Sequence, residues 1–217
     1  MPTLIHDGEV HIESNDILLL LDNRFPKVRL IPPGEEYRMV DLLRHEDDLH
    51  LDLRTLTFRY TQPRGEEPRS KETLRHYRER GSGTVGGRPD SHKDRELAFW
   101  NIIADVGITD EAVRTSAGRF NMALDQLNDH LQDAHYLMGE TLSVLDIAWV
   151  IYINRLVRCG YPMKALHPGV DEWFWPLRNR PEFDREMQVP PDVQKAVDDN
   201  HARQRAEGTM LADVMGI

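Results

Sequence analysis

The sequence has few of the features that mark secreted or membrane-spanning proteins. Its 217 residues include a single cysteine, Cys159, which excludes an intrachain disulfide. The aliphatic run at positions 17–21 is far shorter than the roughly 20 apolar residues that a helix needs to cross a bilayer, and no segment resembles a signal peptide. These absences predict a cytoplasmic protein with no membrane partner.

Positive charge is also scarce. The chain has 27 Lys and Arg residues against 37 Asp and Glu residues, a formal net charge of −10. Because phosphate-binding surfaces need a basic patch, this balance predicts no nucleic-acid partner. With 40% apolar and 29% charged residues, the composition is that of an ordinary globular protein, and the length fits one or two small domains.

The N-terminal residues predict a hairpin followed by a helix start. Two short β-favouring runs, Thr3–Ile5 and Glu9–Ile12, flank Asp7-Gly8, a pair that supplies the positive φ angles of a tight turn. Glu13, Ser14 and two further polar residues then precede an apolar run, and we expect Ser14 to be the N-cap of a helix. The unpaired N–H groups at such a helix start favour binding of a carboxylate.

A Pro/Gly break follows and predicts a domain boundary near Pro33. From Glu35 to about Tyr60 the apolar positions recur at helical spacing, which predicts one long or bent helix. The run at 45–50, His-Glu-Asp-Asp-Leu-His, contains imidazoles and carboxylates, but metal sites need three or four convergent ligands. We therefore interpret this run as a solvated acidic face and expect no metal site.

Residues 61–95 look the least ordered, and we predict a mobile loop there that includes a basic, helix-like stretch at 71–80. The glycine-rich run Gly81–Gly87 lacks the strand and the Gly-Lys-Ser/Thr ending of a phosphate loop, so we interpret it as a flexible linker. The cations of this region either line the mouth of a site for an anionic substrate or form a solvated surface, the interpretation we favour. These cations are Arg64, Arg69, Lys71, Arg75, Arg78 and Arg80.

The second half of the chain predicts a helical domain. An amphipathic pattern covers Ala112–Leu131, and Val144–Arg158 is apolar on nearly every side, which predicts a buried central helix. Just before that helix, Ser143 and Asp146 have the spacing of a reciprocal capping box, in which each side chain accepts a hydrogen bond from the other residue's backbone N–H. Asp146 is therefore expected to stabilise the fold and not to act as a catalytic acid.

The motifs in the two halves resemble glutathione S-transferases of the cytosolic type. Pro2, the hairpin and Glu13-Ser14 are similar to that family's glutathione-binding segment, and Gly139-x-x-Leu142-Ser143-x-x-Asp146 is similar to a motif of its helical domain. The resemblance implies a mainly α fold. Residues 1–33 would be the remnant of a thioredoxin-like α/β domain, a β-hairpin plus a helix, and residues 34–217 an all-α domain that contains the mobile loop.

By the same resemblance, glutathione is the co-substrate and its thiolate is transferred to an electrophilic small molecule. The backbone of Met1 and a cis Pro2 would hold the cysteinyl part of glutathione, and Glu13 and Ser14 would hold its γ-glutamyl end. Family members form homodimers, so we expect a homodimer.

In the family, a Tyr, Ser or Cys that activates the thiol lies on or just after a first strand, which would precede Met1. We therefore expect that the chain lacks roughly the first fifty residues of the fold, a strand, a helix and a second strand, and that it has no catalytic residue and negligible conjugating activity. Cys159 ends an apolar helix and is expected to be structural. Nothing places Tyr60 or Tyr77 near a sulfur. The strand at 3–5 would have an unpaired edge, which we expect a second copy to cover.

Two hypotheses follow from this resemblance. Either the chain is the truncated form of a glutathione transferase whose gene start was placed too late, or it is a non-catalytic scaffold that keeps the helical domain. The loop Pro63-Arg64-Gly65 and the segment Asp146–Trp149 also resemble the glutathione-dependent reductive dehalogenases that act on chlorinated hydroquinones, which is a third alternative.

Overall fold

The computed structural model describes residues 2–62, 70–80, 84–85, 88–89 and 91–217, and in these ranges the chain is a hairpin followed almost entirely by helices. The strands are β1 (Thr3–His6), β2 (Glu9–Ile12), β3 (Thr84–Val85) and β4 (Arg88–Pro89). The first six helices are α1 (Ser14–Arg24), α2 (Glu36–Asp47), α3 (His50–Tyr60), α4 (Lys71–Glu79), α5 (Ser91–Val106) and α6 (Asp110–His130). The others are α7 (Val144–Arg158), α8 (Met163–Leu166), α9 (Pro168–Arg178), α10 (Pro181–Met187), α11 (Pro191–Glu207) and α12 (Leu211–Met215).

The predicted N-terminal hairpin is confirmed. Strand β1 pairs antiparallel with β2, from Thr3 opposite Ile12 to His6 opposite Glu9. The turn residues Asp7 and Gly8 have φ angles of 50° and 81°, the left-handed values that a two-residue turn of this kind requires. The paired strands of the hairpin therefore fix the position at which α1 begins.

The predicted N-cap of α1 was wrong by one residue. Helix α1 begins at Ser14, so its N-cap is Glu13, which has φ 69° and ψ 126° and makes no side-chain capping bond. The polar run gave the correct helix start, but the left-handed backbone of Glu13 ends the extended chain one residue earlier than expected. The peptide bond before Pro2 involves Met1, which lies outside the described residues.

The long or bent helix predicted for residues 35–60 is two helices, α2 and α3, that meet at Asp48 and Leu49. At the junction the Leu49 N–H donates to the carbonyl of Glu46 at 3.0 Å, a tighter turn than that of an α-helix. The turn places the Leu49 side chain in the core, where it is 4% exposed.

The helix-like stretch predicted at 71–80 is α4, residues 71–79, and α5 begins at Ser91, inside the range 61–95 that was predicted to be a mobile loop. The Ser70 hydroxyl caps α4 by accepting a hydrogen bond from the Thr73 N–H at 3.2 Å. On the inner side of α4, Leu74 is buried. Part of the glycine-rich run and the segment 63–69 lie outside the described residues.

The predicted central helix is confirmed as α7, with the expected bounds. It packs against α1, α2, α3 and α9, and Ile151 at 43% exposure is its one clearly exposed apolar side chain among the described residues. The amphipathic helix expected over 112–131 is α6, which packs against α3 and α9. The division of the chain into two domains near Pro33 stays a prediction.

Asp146 fixes the beginning of α7. Its carboxylate accepts a hydrogen bond from the Ser143 N–H at 2.8 Å, and its own N–H donates to the Ser143 hydroxyl at 3.4 Å, so the reciprocal capping bonds are both present. The same carboxylate also accepts bonds from the Leu137 N–H at 2.9 Å and from Trp173 Nε1 at 3.0 Å. One fully buried side chain therefore connects the segment before α7, α7 itself and α9.

Two features are absent from residues 2–62, 70–80, 84–85, 88–89 and 91–217. No helix there is both long enough and apolar enough to cross a membrane. The same residues contain no group of three or more His, Cys, Asp or Glu side chains arranged to hold a metal ion.

We expect Asp146→Ala to lower the free energy of unfolding by about 3 kcal/mol or more, because several buried donors lose their acceptor at once. Denaturant unfolding measures the loss. Asp213→Ala is the matched control, since Asp213 caps the Met210 N–H of α12 at an exposed position. A loss for Asp146→Ala no larger than that of the control would contradict the assignment.

Candidate functional site

The candidate site is the start of α1, directly after the hairpin. The first hydrogen bond within this helix runs from the Ile17 N–H to the carbonyl of Glu13 at 3.0 Å. The N–H groups of residues 14–16 therefore have no acceptor inside the helix, and they carry the partial positive charge of its N-terminus. Ser14 adds an exposed hydroxyl at this position. The arrangement is suited to binding a carboxylate.

Glu13 holds a conformation that a non-glycine residue adopts at a cost. Its φ of 69° lies in the left-handed region, and such a residue costs on the order of 1 kcal/mol or more. The cost is not offset by capping, since the Glu13 side chain caps no N–H group of α1. Backbone strain of this kind is concentrated at functional sites, which makes Glu13 a candidate for binding.

Asn15 attaches the helix start to the helical part of the chain. Its Nδ2 donates to the carbonyl of Leu43 at 3.2 Å and to Glu46 Oε2 at 3.0 Å, both on α2. On the other side, Tyr152 of α7 interacts with the same Glu46 carboxyl. The start of α1 is thus held by a buried polar network that the sequence did not predict.

Glu46 corrects the interpretation of residues 45–50 as a solvated face. The exposed members of the run are His45, Asp47 and Asp48, whereas Glu46 is 3% exposed. A signal was available, because Glu46 follows Leu43 by three residues and Met39 by seven and so shares the apolar face of α2. The burial of Glu46 was not predicted because a charged residue was expected to lie on the surface.

Burial raises the pKa of Glu46 from 4.5 to about 7, since the ionised form loses its hydration. The hydrogen bonds from Asn15 and Tyr152 act in the opposite direction, and the negative charge of Asp47 raises the pKa further. Burial likewise raises the pKa of the Tyr152 hydroxyl. Glu46 therefore changes its charge near neutral pH, close to the residue that follows Ser14.

Neither Cys159 nor Tyr60 has the properties of a thiol-activating group. Cys159 is fully buried, and burial raises the pKa of its thiol to about 12. Tyr60 is also fully buried, and burial raises the pKa of its hydroxyl to about 12. Both groups are neutral at pH 7, which agrees with the expectation that Cys159 is structural. Tyr77 lies on α4 at 36% exposure.

The described members of the predicted basic cluster lie on the surface. Lys71 pairs with Asp105 of α5 at 3.0 Å between two exposed side chains. Arg75, Arg78 and Arg80 are exposed, whereas Arg64 and Arg69 lie outside the described residues, as does the loop at 63–65. A solvated surface fits those cations that are described.

We expect Glu46→Gln to remove a pH dependence of stability. Because the native state binds more protons than the unfolded chain between pH 4.5 and about pH 7, ionisation of Glu46 lowers the free energy of unfolding as the pH rises through this window. The full effect is on the order of 3 kcal/mol. Melting temperatures of wild type and variant should diverge as the pH rises, with the variant the more stable. Exposed Asp47→Asn is the control, and parallel curves for Glu46→Gln and wild type would refute the buried titration.

We expect the native protein to resist thiol reagents. With a pKa of about 12, only about one Cys159 thiol in a hundred thousand is ionised at neutral pH, and its burial blocks access. Ellman's reagent should release one equivalent of chromophore per chain only after denaturation. Rapid stoichiometric reaction of the folded protein would show that Cys159 is accessible and would contradict a structural role.

The comparisons with known proteins agree with the geometry. Residues 110–174, which contain α6, α7 and the Asp146 network, match the family model of the glutathione S-transferase C-terminal domain. The crystal structure of the beta-etherase LigF from Sphingobium sp. strain SYK-6 is similar with a TM-score of 0.63 and 21% identity, over 86% of this chain and 76% of that chain. At this identity the likeness shows the fold.

A second solved structure, glutathione S-transferase 1-6 from Anopheles dirus species B, gives a TM-score of 0.44 and 18% identity over 95% of this chain and 76% of that one, too low to support an argument. A comparison with curated protein sequences finds no match. Residues 110–174 are therefore similar to the C-terminal domain of glutathione S-transferases, and over most of its length the chain shares the fold of the beta-etherase LigF.

Proposed function

We propose that this chain binds glutathione at the start of α1 and that its parent activity is the transfer of the glutathione thiolate to an electrophilic small molecule. The observation that carries the proposal is the helix start itself. Free N–H groups of residues 14–16 and the Ser14 hydroxyl point out of the helix beside the left-handed Glu13. A γ-glutamyl group offers a carboxylate to the N–H groups and an ammonium to the Glu13 carboxylate.

In this proposal, four residues bind glutathione, and their roles come from the family resemblance. Glu13 and Ser14 hold the γ-glutamyl end, and the backbone of Met1 and Pro2 holds the cysteinyl part. Residues 1–33 would then form the glutathione-binding unit, and residues 34–217 would supply the electrophile site and the interface of a cytoplasmic homodimer. The hairpin supports this use, because it pairs Thr3, which follows Pro2, with Ile12, which precedes Glu13 and Ser14.

The reaction joins the sulfur of glutathione to an electrophilic carbon while a leaving group departs with its electron pair. The thiol must first lose a proton, and a nearby hydroxyl or N–H group must stabilise the sulfur anion. Cys159 and Tyr60 do not fit this role, because both are buried and neutral. We therefore assign no catalytic residue.

A non-catalytic scaffold is the second candidate function. The neutral state of Cys159 and Tyr60 favours this function, since neither residue has a pKa near neutrality and neither can activate a thiol. The loop that motivated a reductive dehalogenase lies outside the described residues. The beta-etherase likeness is a likeness of fold, so it does not select an ether as the electrophile.

We expect Ser14→Ala to weaken glutathione binding about tenfold, because a hydrogen bond to a charged carboxylate contributes about 1.5 kcal/mol. Isothermal titration calorimetry of wild type and variant with glutathione measures the change. Ser70→Ala is the matched control, since it removes a serine hydroxyl from the start of another helix, α4. Equal affinity in Ser14→Ala and wild type, or no saturable binding by wild type, would reject this glutathione site.

Turnover separates the two candidate functions. Wild type that binds glutathione is mixed with glutathione and chlorodinitrobenzene, and the absorbance of the conjugate is followed. Turnover above the uncatalysed rate supports the transferase and contradicts the scaffold, whereas binding without turnover fits both a scaffold and a transferase chain that lacks its thiol-activating residue.

A further inference from the structure

A cationic cluster lies where the last two turns of α7 pack against α3. Arg155 and Arg158 are three residues apart on α7, and Arg54 and Thr57 are three residues apart on α3. Arg155 Nη2 donates a hydrogen bond to the Thr57 hydroxyl at 3.0 Å. Because residues three apart lie on the same face of a helix, Arg155 and Arg158 share one side of α7, and both act electrostatically on buried Cys159.

Arg54 and Arg155 differ in whether a carboxylate offsets their positive charge. Arg54 forms an ion pair with Glu96 of α5. In contrast, no Asp or Glu in the parts of the chain that the structure describes forms an ion pair with Arg155, and the guanidinium groups that act on it are Arg54 and Arg158. Burial lowers the pKa of Arg155, and these two positive charges lower it further. Arg155 is half-buried, and no described carboxylate offsets its charge, so it can accept an anion as its partner.

The carbonyl groups at the end of α7 do not supply the missing partner. The carbonyls of residues 155, 156 and 157 accept hydrogen bonds from the N–H groups of residues 159, 161 and 160. The Thr57 hydroxyl donates to the carbonyl of Leu53 at 2.7 Å and accepts one of the five N–H groups that a guanidinium offers. Arg158 contributes a buried Nε without a partner in the described structure. Donors therefore remain for an oxyanion.

We propose that Arg155, assisted by Arg158, binds the carboxylate of an aromatic small molecule. The aromatic part is inferred from the neighbouring residues. The guanidinium of Arg54 lies 5.9 Å from the centre of the Trp100 ring, and the Phe58 ring meets Trp100 edge-on at 4.9 Å. A planar carboxylate matches the fork of a guanidinium, and an aromatic body fits beside half-buried Phe58, whereas the Trp100 ring is 3% exposed and supports Phe58 from below.

The site deepens the proposed function, and it depends on that function only for the ligand's role as the electrophile. Along α7, Tyr152 precedes Arg155 by one turn and interacts with Glu46, which holds Asn15 next to Ser14. An electrophile anchored at Arg155 is therefore connected to the glutathione end of the chain by one face of α7. Anion binding itself requires neither glutathione nor turnover.

The test compares benzoate with benzamide, its neutral isostere, by calorimetry and by thermal shift. Wild type should bind benzoate at least about tenfold more tightly than benzamide, and benzoate should raise its melting temperature. Arg155→Gln should lower the benzoate affinity about tenfold and leave the benzamide affinity unchanged. Arg114→Gln is the matched control, because Arg114 is exposed on α6, and it should behave as wild type.

Three results would overturn the proposal. These are no saturable benzoate binding by wild type, equal affinities for benzoate and benzamide, and a benzoate affinity that Arg155→Gln does not change. One case of the third result is informative: if Arg155→Gln binds benzoate normally but glutathione more weakly, Arg155 binds a carboxylate of glutathione and not that of an aromatic ligand. The comparison of benzoate with benzamide uses only wild type, so it tests the proposal even if Arg155→Gln does not fold. Loss of glutathione binding in Ser14→Ala tests the proposed function separately.

Discussion

The structure depends on one buried carboxylate. Asp146 accepts hydrogen bonds from the chain before α7, from the cap of α7 and from Trp173 on α9. Because each of these donors is buried, leaving them unpaired would cost more than the bonds contribute when formed. The position of α7 in the core is therefore specified at its first turn. Because the helix is rigid, this also fixes the positions of the residues further along it.

Two polar contacts lie along α7 beyond Asp146. Near its middle, Tyr152 meets Glu46, which holds Asn15 and with it the start of α1. One turn later, Arg155 reaches Thr57 on α3. A single helix thus sets the separation between the proposed carboxylate site at the start of α1 and the Arg155 guanidinium. For a reaction between two small molecules, such a fixed separation supplies orientation that flexible loops do not provide.

Local sequence patterns correctly predicted the turn and the helix cap whose geometry depends on residues close together in the sequence. The Asp7-Gly8 turn and the Ser143–Asp146 spacing specify their geometry within a few residues, so the sequence was sufficient. Glu46 was missed because tertiary packing removes it from water, although its charge is typical of a surface residue. The position of half-buried Arg155 against Thr57 was not predicted, because the two residues are far apart in the sequence. Helix α4 was predicted as a helix-like stretch, but its charged residues concealed its buried side chain, Leu74, so its packing was not predicted.

The burial of Glu46 also bears on the charge beside the proposed glutathione site. A fully ionised carboxylate behind the start of α1 would oppose the attraction of that helix end for a bound carboxylate. With its pKa raised to about 7, Glu46 is partly protonated at neutral pH, and it still accepts the hydrogen bond from Asn15. Burial therefore lets one side chain hold the helix start in place while it contributes only part of a negative charge. An exposed carboxylate at the same position would contribute a full charge, and water would compete for Asn15.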